Sequence, residues 1–295
     1  MIQVRGLEKT YGKTKVLHGI DFFVRDNEIF GLLGPNGAGK TTTLEIIEGL
    51  KHYQAGTISI DGLDPEQALS AGIIGVQLQS SSLPATMTSK DVMTLFCRWQ
   101  KKPVRFDLLS RFNLDKVANQ TYQTLSTGQK RCLHLALAIA RDPRIIILDE
   151  PTAGLDIQAR AALHEEILKM KADGVTMILA SHDLAEVEKL CDRVAILVEG
   201  RIKKIGTPEE ITAEIKREVV LKVQVKNEQA MPTFQHLTPI VFEGVHWHFR
   251  LGNILEGLEE LITFIRQSNN ELLDITLEKP TLEARFLEIA KGGGL

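Results

Sequence analysis

The tightest constraint in this chain is the run Gly34-Pro35-Asn36-Gly37-Ala38-Gly39-Lys40-Thr41, set between the apolar residues Ile29 to Leu33 and a helical pattern from Thr42 to Leu50. Strand, glycine-rich loop and helix form the context that a phosphate-binding loop of the G-x-x-x-x-G-K-[ST] kind requires. Glycines let the backbone curl until successive N–H groups converge on an anion, and the positive end of the following helix faces the same point. A nucleotide's β-phosphate belongs there. Lys40 is expected to reach the β- and γ-oxygens as a point charge, and the Thr41 hydroxyl to ligate the Mg²⁺ that bridges them.

At 295 residues the chain has room for about two domains with cores of their own. Its 43% apolar and 25% charged residues are ordinary for a globular protein. The start, Met1 to Arg5, has no apolar stretch of the signal-peptide kind. The longest apolar window, Cys132 to Ala140, is interrupted by His134 and falls far short of the ~20 residues a membrane span needs. Cys97, Cys132 and Cys191 lie far apart, which suggests neither a zinc site nor a disulfide framework and fits a reducing, cytosolic location. Residues 207–295 carry 9 Lys+Arg against 14 Asp+Glu, net −5, leaving +2 on residues 1–206. Neither part has the basic stripe of a nucleic-acid binder, so none is expected as a partner.

Taken in order, residues 2–5, 16–24 and 28–33 look like strands, with turns at Tyr11-Gly12-Lys13 and Asp26-Asn27. Tyr11 either packs at a strand end or returns to stack on an adenine face, with Val16 covering the base edge or ribose. Gly56 to Ile60 and Ile73 to Leu78 are further strands, and Gln77 and Gln79 bracket the end of the second. A glutamine at the carboxyl end of a strand in an α/β sheet lies where ligands bind, so Gln79 is a candidate to touch Mg²⁺ or an attacking water; an ordinary surface role is the alternative. Residues 80–124 turn helical, and Ser89 to Trp99 carries an apolar stripe with Thr88 or Ser89 as its cap. Trp99 is read there as core or as an exposed anchor for a partner.

Leu125-Ser126-Thr127-Gly128-Gln129-Lys130 then runs into a helix expected from Arg131 to Arg141. This is a second helix start able to attract an anion, either a plain cap or a contact for a nucleotide on another subunit. Ile145 to Leu148 reads as a strand buried on both faces, ending in Asp149-Glu150. Two acids at such an end suit work near a cation: Asp149 in the Mg²⁺ shell, Glu150 polarising the water that attacks the γ-phosphate. Pro151 to Asp156 turns into a helix from Ile157 to Lys171, and the strand Val175 to Ala180 ends at Ser181-His182-Asp183. His182 there is a candidate hydrogen-bond donor to the γ-phosphate, or else structural. Strands Val194 to Val198 and Arg201 to Ile205 close this part.

With these pieces in this order, residues 1–215 resemble the ATP-binding-cassette ATPases, and Leu-Ser-Thr-Gly-Gln-Lys is the most specific of them. The resemblance implies an α/β P-loop cassette: a mixed, largely parallel core sheet, an antiparallel β part, and a helical insert at about residues 80–140. It implies a Walker A loop from Gly34 to Thr41 with Thr42 in the ATP site, an A-loop Tyr11 and a Q-loop Gln79. It further implies a signature at Ser126, Thr127, Gly128 and Gln129, Walker B ending at Asp149, catalytic Glu150, a D-loop ending at Asp156 and a switch His182. Thr127 stands where a glycine is more usual and limits backbone freedom there. Since the chain has one copy of each motif, the resemblance implies a head-to-tail homodimer, each ATP lying between Walker A of one subunit and the signature of the other. It implies ATP and Mg²⁺ as ligands, separate membrane permease subunits docking on residues 88–124 and the Gln79 loop, and a place on the inner face of the cell membrane. Single cassettes with such a tail look most like those of drug or antibiotic exporters; the alternative is a cassette ATPase acting on ribosomes or DNA.

Residues 216–295 read as a small α+β appendix of regulatory or dimer-supporting use. Strands are expected at Glu218 to Lys226, Val245 to Arg250 and Leu272 to Leu277, an amphipathic helix through Leu255 to Ile265, and a last helix from Thr281 to Ala290. His246 and His248 share a strand face but lack a third ligand, so no metal is expected.

Overall fold

Apolar runs without alternation build the centre of the larger of two compact units. The structure, a computed structural model, describes residues 1–77, 82–213, 219–227, 234–243, 245–278 and 286. Gln79 and the helix expected at Thr281 to Ala290, Phe286 apart, lie outside them.

In chain order come β1 (Ile2–Tyr11), β2 (Thr14–Val24), β3 (Ile29–Leu33), α1 (Lys40–Ile47), β4 (Ala55–Ile60), α2 (Pro65–Ser70) and β5 (Ile74–Gln77). A helical stretch follows, with α3 (Ser89–Trp99), α4 (Phe106–Arg111) and α5 (Thr127–Ile139). Then come β6 (Ile145–Asp149), α6 (Ile157–Ala172), β7 (Thr176–Ser181), α7 (Leu184–Leu190), β8 (Arg193–Val198) and β9 (Arg201–Gly206). The chain divides into Met1–Pro208 and Glu209–Leu295.

In the first unit six strands run β5-β6-β7-β3-β8-β9; all neighbours pair in parallel except β8 with β9. Every residue of β3, β6 and β7 is buried, as expected for parallel strands covered on both faces. A separate antiparallel sheet, β2-β1-β4, packs on α1 and on the six-stranded sheet through one core that includes Val4, Leu17, Ile58, Leu44, Ile147 and Ile178. β1 extends well past Arg5, carrying its pairing through Gly6 by register shifts on both neighbours.

Two helix starts are fixed by reciprocal side-chain caps. Thr88 Oγ1 accepts from the Asp91 amide at 3.2 Å while Asp91 accepts from the Thr88 amide at 3.1 Å, which starts α3 at Ser89. Ser126 Oγ accepts from the Gln129 amide at 3.2 Å and Gln129 Oε1 from the Ser126 amide at 2.9 Å. That second box moves the start of α5 from the expected Arg131 to Thr127, so Thr127, Gly128 and Gln129 form its first turn.

The second unit holds α8 (Pro208–Ala213), β10 (Val219–Val225), β11 (Leu237–Glu243), β12 (His246–Leu251), α9 (Ile254–Gln267) and β13 (Leu272–Glu278). The sheet order is β11-β12-β10-β13, all antiparallel. One face, with Leu221, Val223, Trp247 and Phe249, packs against Leu261 and Ile265 of α9. His246 and His248 lie on the other face of β12, opposite Gln224 and Lys222, and among the described residues no cluster of three or more His, Cys, Asp or Glu side chains placed to hold a metal forms.

Glu48, which ends α1, is 1% exposed and neither carboxylate oxygen has a hydrogen-bond partner among the described residues. Burial, reinforced by Asp149 and Glu45, pushes its carboxyl from the ordinary 4.5 to about 8. The folded state therefore holds this proton more tightly than the unfolded chain does. Its ionisation costs nothing below the unfolded value and destabilises progressively as pH rises towards 8. Glu48→Gln should flatten the fall in stability between about pH 5 and 8 and raise stability at pH 8 by roughly 2–4 kcal/mol. Urea unfolding of both proteins at the two pH values checks this.

Candidate functional site

Register carries the site to one edge of the sheet. In β3 and β7 Leu33 pairs with Ser181, and in β6 and β7 Asp149 pairs with Ala180. The loops after β3, β6 and β7 therefore leave the sheet side by side, with adjacent strands about 4.8 Å apart.

The loop from Gly34 to Gly39 turns back over β3. A Cβ on Gly34 would sit 2.3 Å from the Leu197 carbonyl oxygen, so only glycine fits. Gly39 has φ 107° and caps α1 without a side chain; a Cβ there would meet Leu17 at 2.7 Å and the Val16 carbonyl at 3.5 Å. The Ala38 carbonyl accepts from the Gly200 amide at 3.1 Å. The first-turn amides of Lys40, Thr41 and Thr42 thus face outward from α1 as donors for an anion. Pro35, Asn36 and Gly37 are exposed, whereas Ala38 packs into the core.

Lys40 is 6% exposed, and its Nζ donates to the Gly34 carbonyl at 2.8 Å and to that of Pro35 at 3.3 Å. Burial lowers its pKa, against the upward pull of Glu150 and Asp149. Asp149, 3% exposed, is shifted upward, first by burial and also by the charges of Glu150 and Glu45, with a hydrogen bond from Thr41 and the charge of Lys40 opposing. Its Oδ1 has no hydrogen-bond partner among the described residues. An orphaned carboxylate oxygen beside a threonine hydroxyl, in a pocket of excess negative charge, is a donor set that fits a hard divalent cation such as Mg²⁺.

Glu150 is 6% exposed and sits at φ +51°, a left-handed conformation that costs a non-glycine residue about 1 kcal/mol or more. Its amide donates to the Ala180 carbonyl at 2.9 Å, and its Oε2 lies 2.7 Å from His182 Nδ1. The His182 side chain is 60% exposed. A buried carboxylate held by an exposed imidazole, next to Lys40 and Asp149, can polarise a water at a phosphate bound in the loop.

Tyr11 ends β1 at the tip of a hairpin, 41% exposed, with Lys9 and Lys51 Nζ 4.8 and 5.4 Å from its ring centroid. Its ring is therefore a partly open face in a basic surround, while Val16 reaches the loop through its backbone beside Gly39. Ser126 and Thr127 are exposed at the start of α5 and Gly128 is half-buried. Thr127 Cγ2 lies 3.9 Å from the Cβ position of Gly154, and the Cβ position of Gly128 lies 3.0 Å from Ala159. Asp156 caps α6 by accepting from the Ala159 amide at 2.8 Å. The turns at Ser126 to Gln129 and at Gly154 to Asp156 thus adjoin within one chain, with Ser126, Thr127 and Asp156 exposed.

Two contributors escaped the sequence reading. Gly200, in the hairpin between β8 and β9, buttresses the loop through Ala38 and accepts from the His18 amide at 2.9 Å; the Glu199-Gly200 pair signalled only a turn. Gln77 is 2% exposed, with both amide atoms unpartnered among the described residues. It lines a cavity of about 670 Å³ with Leu83, Phe96, Trp99, His134 and Leu137. Trp99 is 75% exposed, tilted against Phe96 at 6.4 Å between centroids, which favours the anchor reading over core.

Residues 17–153 match the family model described as ABC transporter. The linearmycin resistance ATP-binding protein LnrL of Bacillus subtilis (strain 168) is 30% identical over 304 residues, covering 98% of each chain. The Nod factor export ATP-binding protein I of Burkholderia orbicola (strain AU 1054) is 40% identical over 228 residues, 74% of this chain and 75% of that one. A dimeric structure of a bacterial ABC transporter cassette superposes with a TM-score of 0.64 at 25% identity, covering 70% of this chain and 98% of its own. Likeness along the whole length to one relative, and a family match over the phosphate loop and acidic strand end, mean that this chain belongs to the ATP-binding-cassette transporter ATPases.

Proposed function

We propose that this ATPase subunit works as a homodimer that powers an exporter through separate membrane permease subunits, with Glu150 and His182 at the point of hydrolysis. The observation that carries the catalytic part is the 2.7 Å contact between Glu150 and His182, on adjacent strand ends beside Lys40 and Asp149. ATP enters with its phosphates against the amides of the Gly34 to Thr42 loop, and Tyr11 and Val16 take the adenine side. Lys40 exchanges a loop carbonyl for phosphate oxygen, which offsets the cost of its burial. Asp149 and the Thr41 hydroxyl would hold Mg²⁺, which when bound supplies positive charge at the β- and γ-phosphates. His182 fixes the rotamer of Glu150, and the carboxylate takes a proton from the attacking water. Gln79 is assigned the end of this water's path by its resemblance alone.

The outward-facing Ser126, Thr127, Gly128 and Gln129, with Asp156 beside them, support a contact to nucleotide on a second copy. Residues 216–295 are assigned a regulatory or dimer-supporting part in that pairing. No described helix is long and apolar enough to cross a membrane, and the membrane-spanning part is assigned to the permease subunits. The cavity beneath Trp99 suits an apolar helical segment of a permease, and this would hold the subunit at the inner face of the cell membrane. Relatives named for antibiotic resistance and for Nod factor export favour outward transport over a role on ribosomes or DNA.

Glu150→Gln should bind ATP and hydrolyse it at least ~100-fold more slowly, accumulating as an ATP-bound dimer, because the water loses its base while the phosphate contacts persist. Steady-state turnover and size-exclusion with ATP check this; wild-type turnover refutes the assignment. Lys40→Ala should weaken nucleotide binding by ~10-fold or more, read by titration with a fluorescent ATP analogue. Trp99→Glu should abolish co-purification of a permease with the tagged chain, and retention of that permease counts against the docking site.

A further inference from the structure

Directly beneath the turn that follows Glu150 lies a buried polar cluster that the hydrolysis scheme does not use. Thr152, Glu186 and His164 are 3%, 2% and 5% exposed. Thr152 Oγ1 donates to Glu186 Oε1 at 2.7 Å, and His164 Nε2 lies 3.2 Å from the same oxygen. The other oxygen, Glu186 Oε2, is buried and has no hydrogen-bond partner among the described residues.

The three residues come from three pieces of the site. Thr152 stands two residues after Glu150, His164 is on α6, and Glu186 is on α7, four residues after His182. A second rung runs parallel: Arg160, one helical turn before His164, donates to Asp183 at 2.9 Å, and Asp183 caps α7 by accepting from the Ala185 and Glu186 amides at 3.0 and 3.2 Å. The two rungs fasten α6 to α7, and Thr152 ties the turn after β6 to that frame. The loops joined on the outside by Glu150 and His182 are therefore joined a second time, in the interior, by Thr152 and Glu186.

A frame of this kind answers a specific need. Glu150 occupies a left-handed conformation that persists only where its surroundings over-determine it. Placing a carboxylate with one orphaned oxygen in the core is costly unless something is gained from it. We propose that Glu186 is a positioning residue for hydrolysis. Acting through Thr152, it holds the turn so that Glu150 keeps its strained backbone and its aim at His182 and the attacking water. It touches neither nucleotide nor water. The inference rests on the assignment of Glu150 as the base.

The test uses the full-length chain and measures kcat, KM for ATP and thermal midpoint. Thr152→Val keeps the shape and removes only the donor. It should lower kcat about 10-fold with KM for ATP close to wild type; the thermal midpoint falls by a few degrees, since a buried carboxylate loses a donor, but the chain stays fully folded at the assay temperature. Thr152→Ser should restore kcat. Glu186→Ala should lower kcat likewise, and the Thr152→Val, Glu186→Ala double variant should be no slower than the slower single one, since both remove the same link. Should Glu186→Ala fail to fold, Thr152→Val with its serine rescue decides. Wild-type kcat in Thr152→Val, no rescue by serine, or a kcat loss matched by a lower folded fraction overturns the proposal. Glu150→Gln run alongside separates the cases: an inactive Glu150→Gln with a normal Thr152→Val sinks this inference alone, whereas an active Glu150→Gln sinks the assignment beneath it.

Discussion

Parallel pairing of β3, β7 and β6 is the constraint on which the site depends. Each strand is buried on both faces, so none can slip by a residue without moving polar ends into the core or apolar residues out of it. Fixed register brings Leu33, Ser181 and Asp149 to one sheet edge. The phosphate loop, the acidic pair and His182 then stand on adjacent strand ends, although more than a hundred residues separate the loop from the other two in the chain.

That edge concentrates unfavourable electrostatics and backbone strain. Lys40 and Asp149 are both buried, and each is pushed towards its neutral form by desolvation. Glu48 at the far end of α1 adds a buried carboxyl without a hydrogen-bond partner among the described residues, and Glu150 adds a left-handed backbone. A free subunit tolerates these because the surrounding core is continuous and tightly held. In the proposed complex, phosphate beside Lys40 and a cation beside Asp149 would reverse much of the imbalance, so binding free energy would be available to order the site. At this end of the sheet a left-handed Glu150 and an unpartnered Asp149 oxygen stand together, although left-handed backbone also occurs in turns elsewhere, as at Asn27 and Asn113.

Elements whose signals are local were readable from sequence. Ser89 to Trp99 forms a helix with those bounds, and the uninterrupted Ile145 to Leu148 run forms a buried parallel strand. Errors arose where a local signal competed with pairing. The first strand is expected over residues 2–5 only, yet β1 continues through Gly6 to Tyr11 because two neighbours share its ladder and absorb the irregularity as register shifts. Pro239 hides β11, which is tolerated because that strand lies at the edge of its sheet, where one missing amide donor leaves no partner unsatisfied. The start of α5 was placed late because glycine and threonine are poor helix formers, whereas the reciprocal Ser126 and Gln129 bonds make them its first turn.

The sequence by itself determined which chemical groups are present: a glycine-rich loop ending in Lys40 and Thr41, an acidic pair at the end of a buried strand, a histidine at the end of another, and a capped helix start of unusual composition, each legible because it is specified within a few consecutive residues. Only tertiary structure decided how they are held. The contact of Glu150 with His182, the support of the loop by Gly200, the orphaned amide of Gln77 beneath Trp99 and the Thr152, Glu186 and His164 cluster join residues distant along the chain. Their partnerships depend on sheet register and on which helix faces meet. Those are set by the packing of the whole core, which no short stretch of sequence encodes.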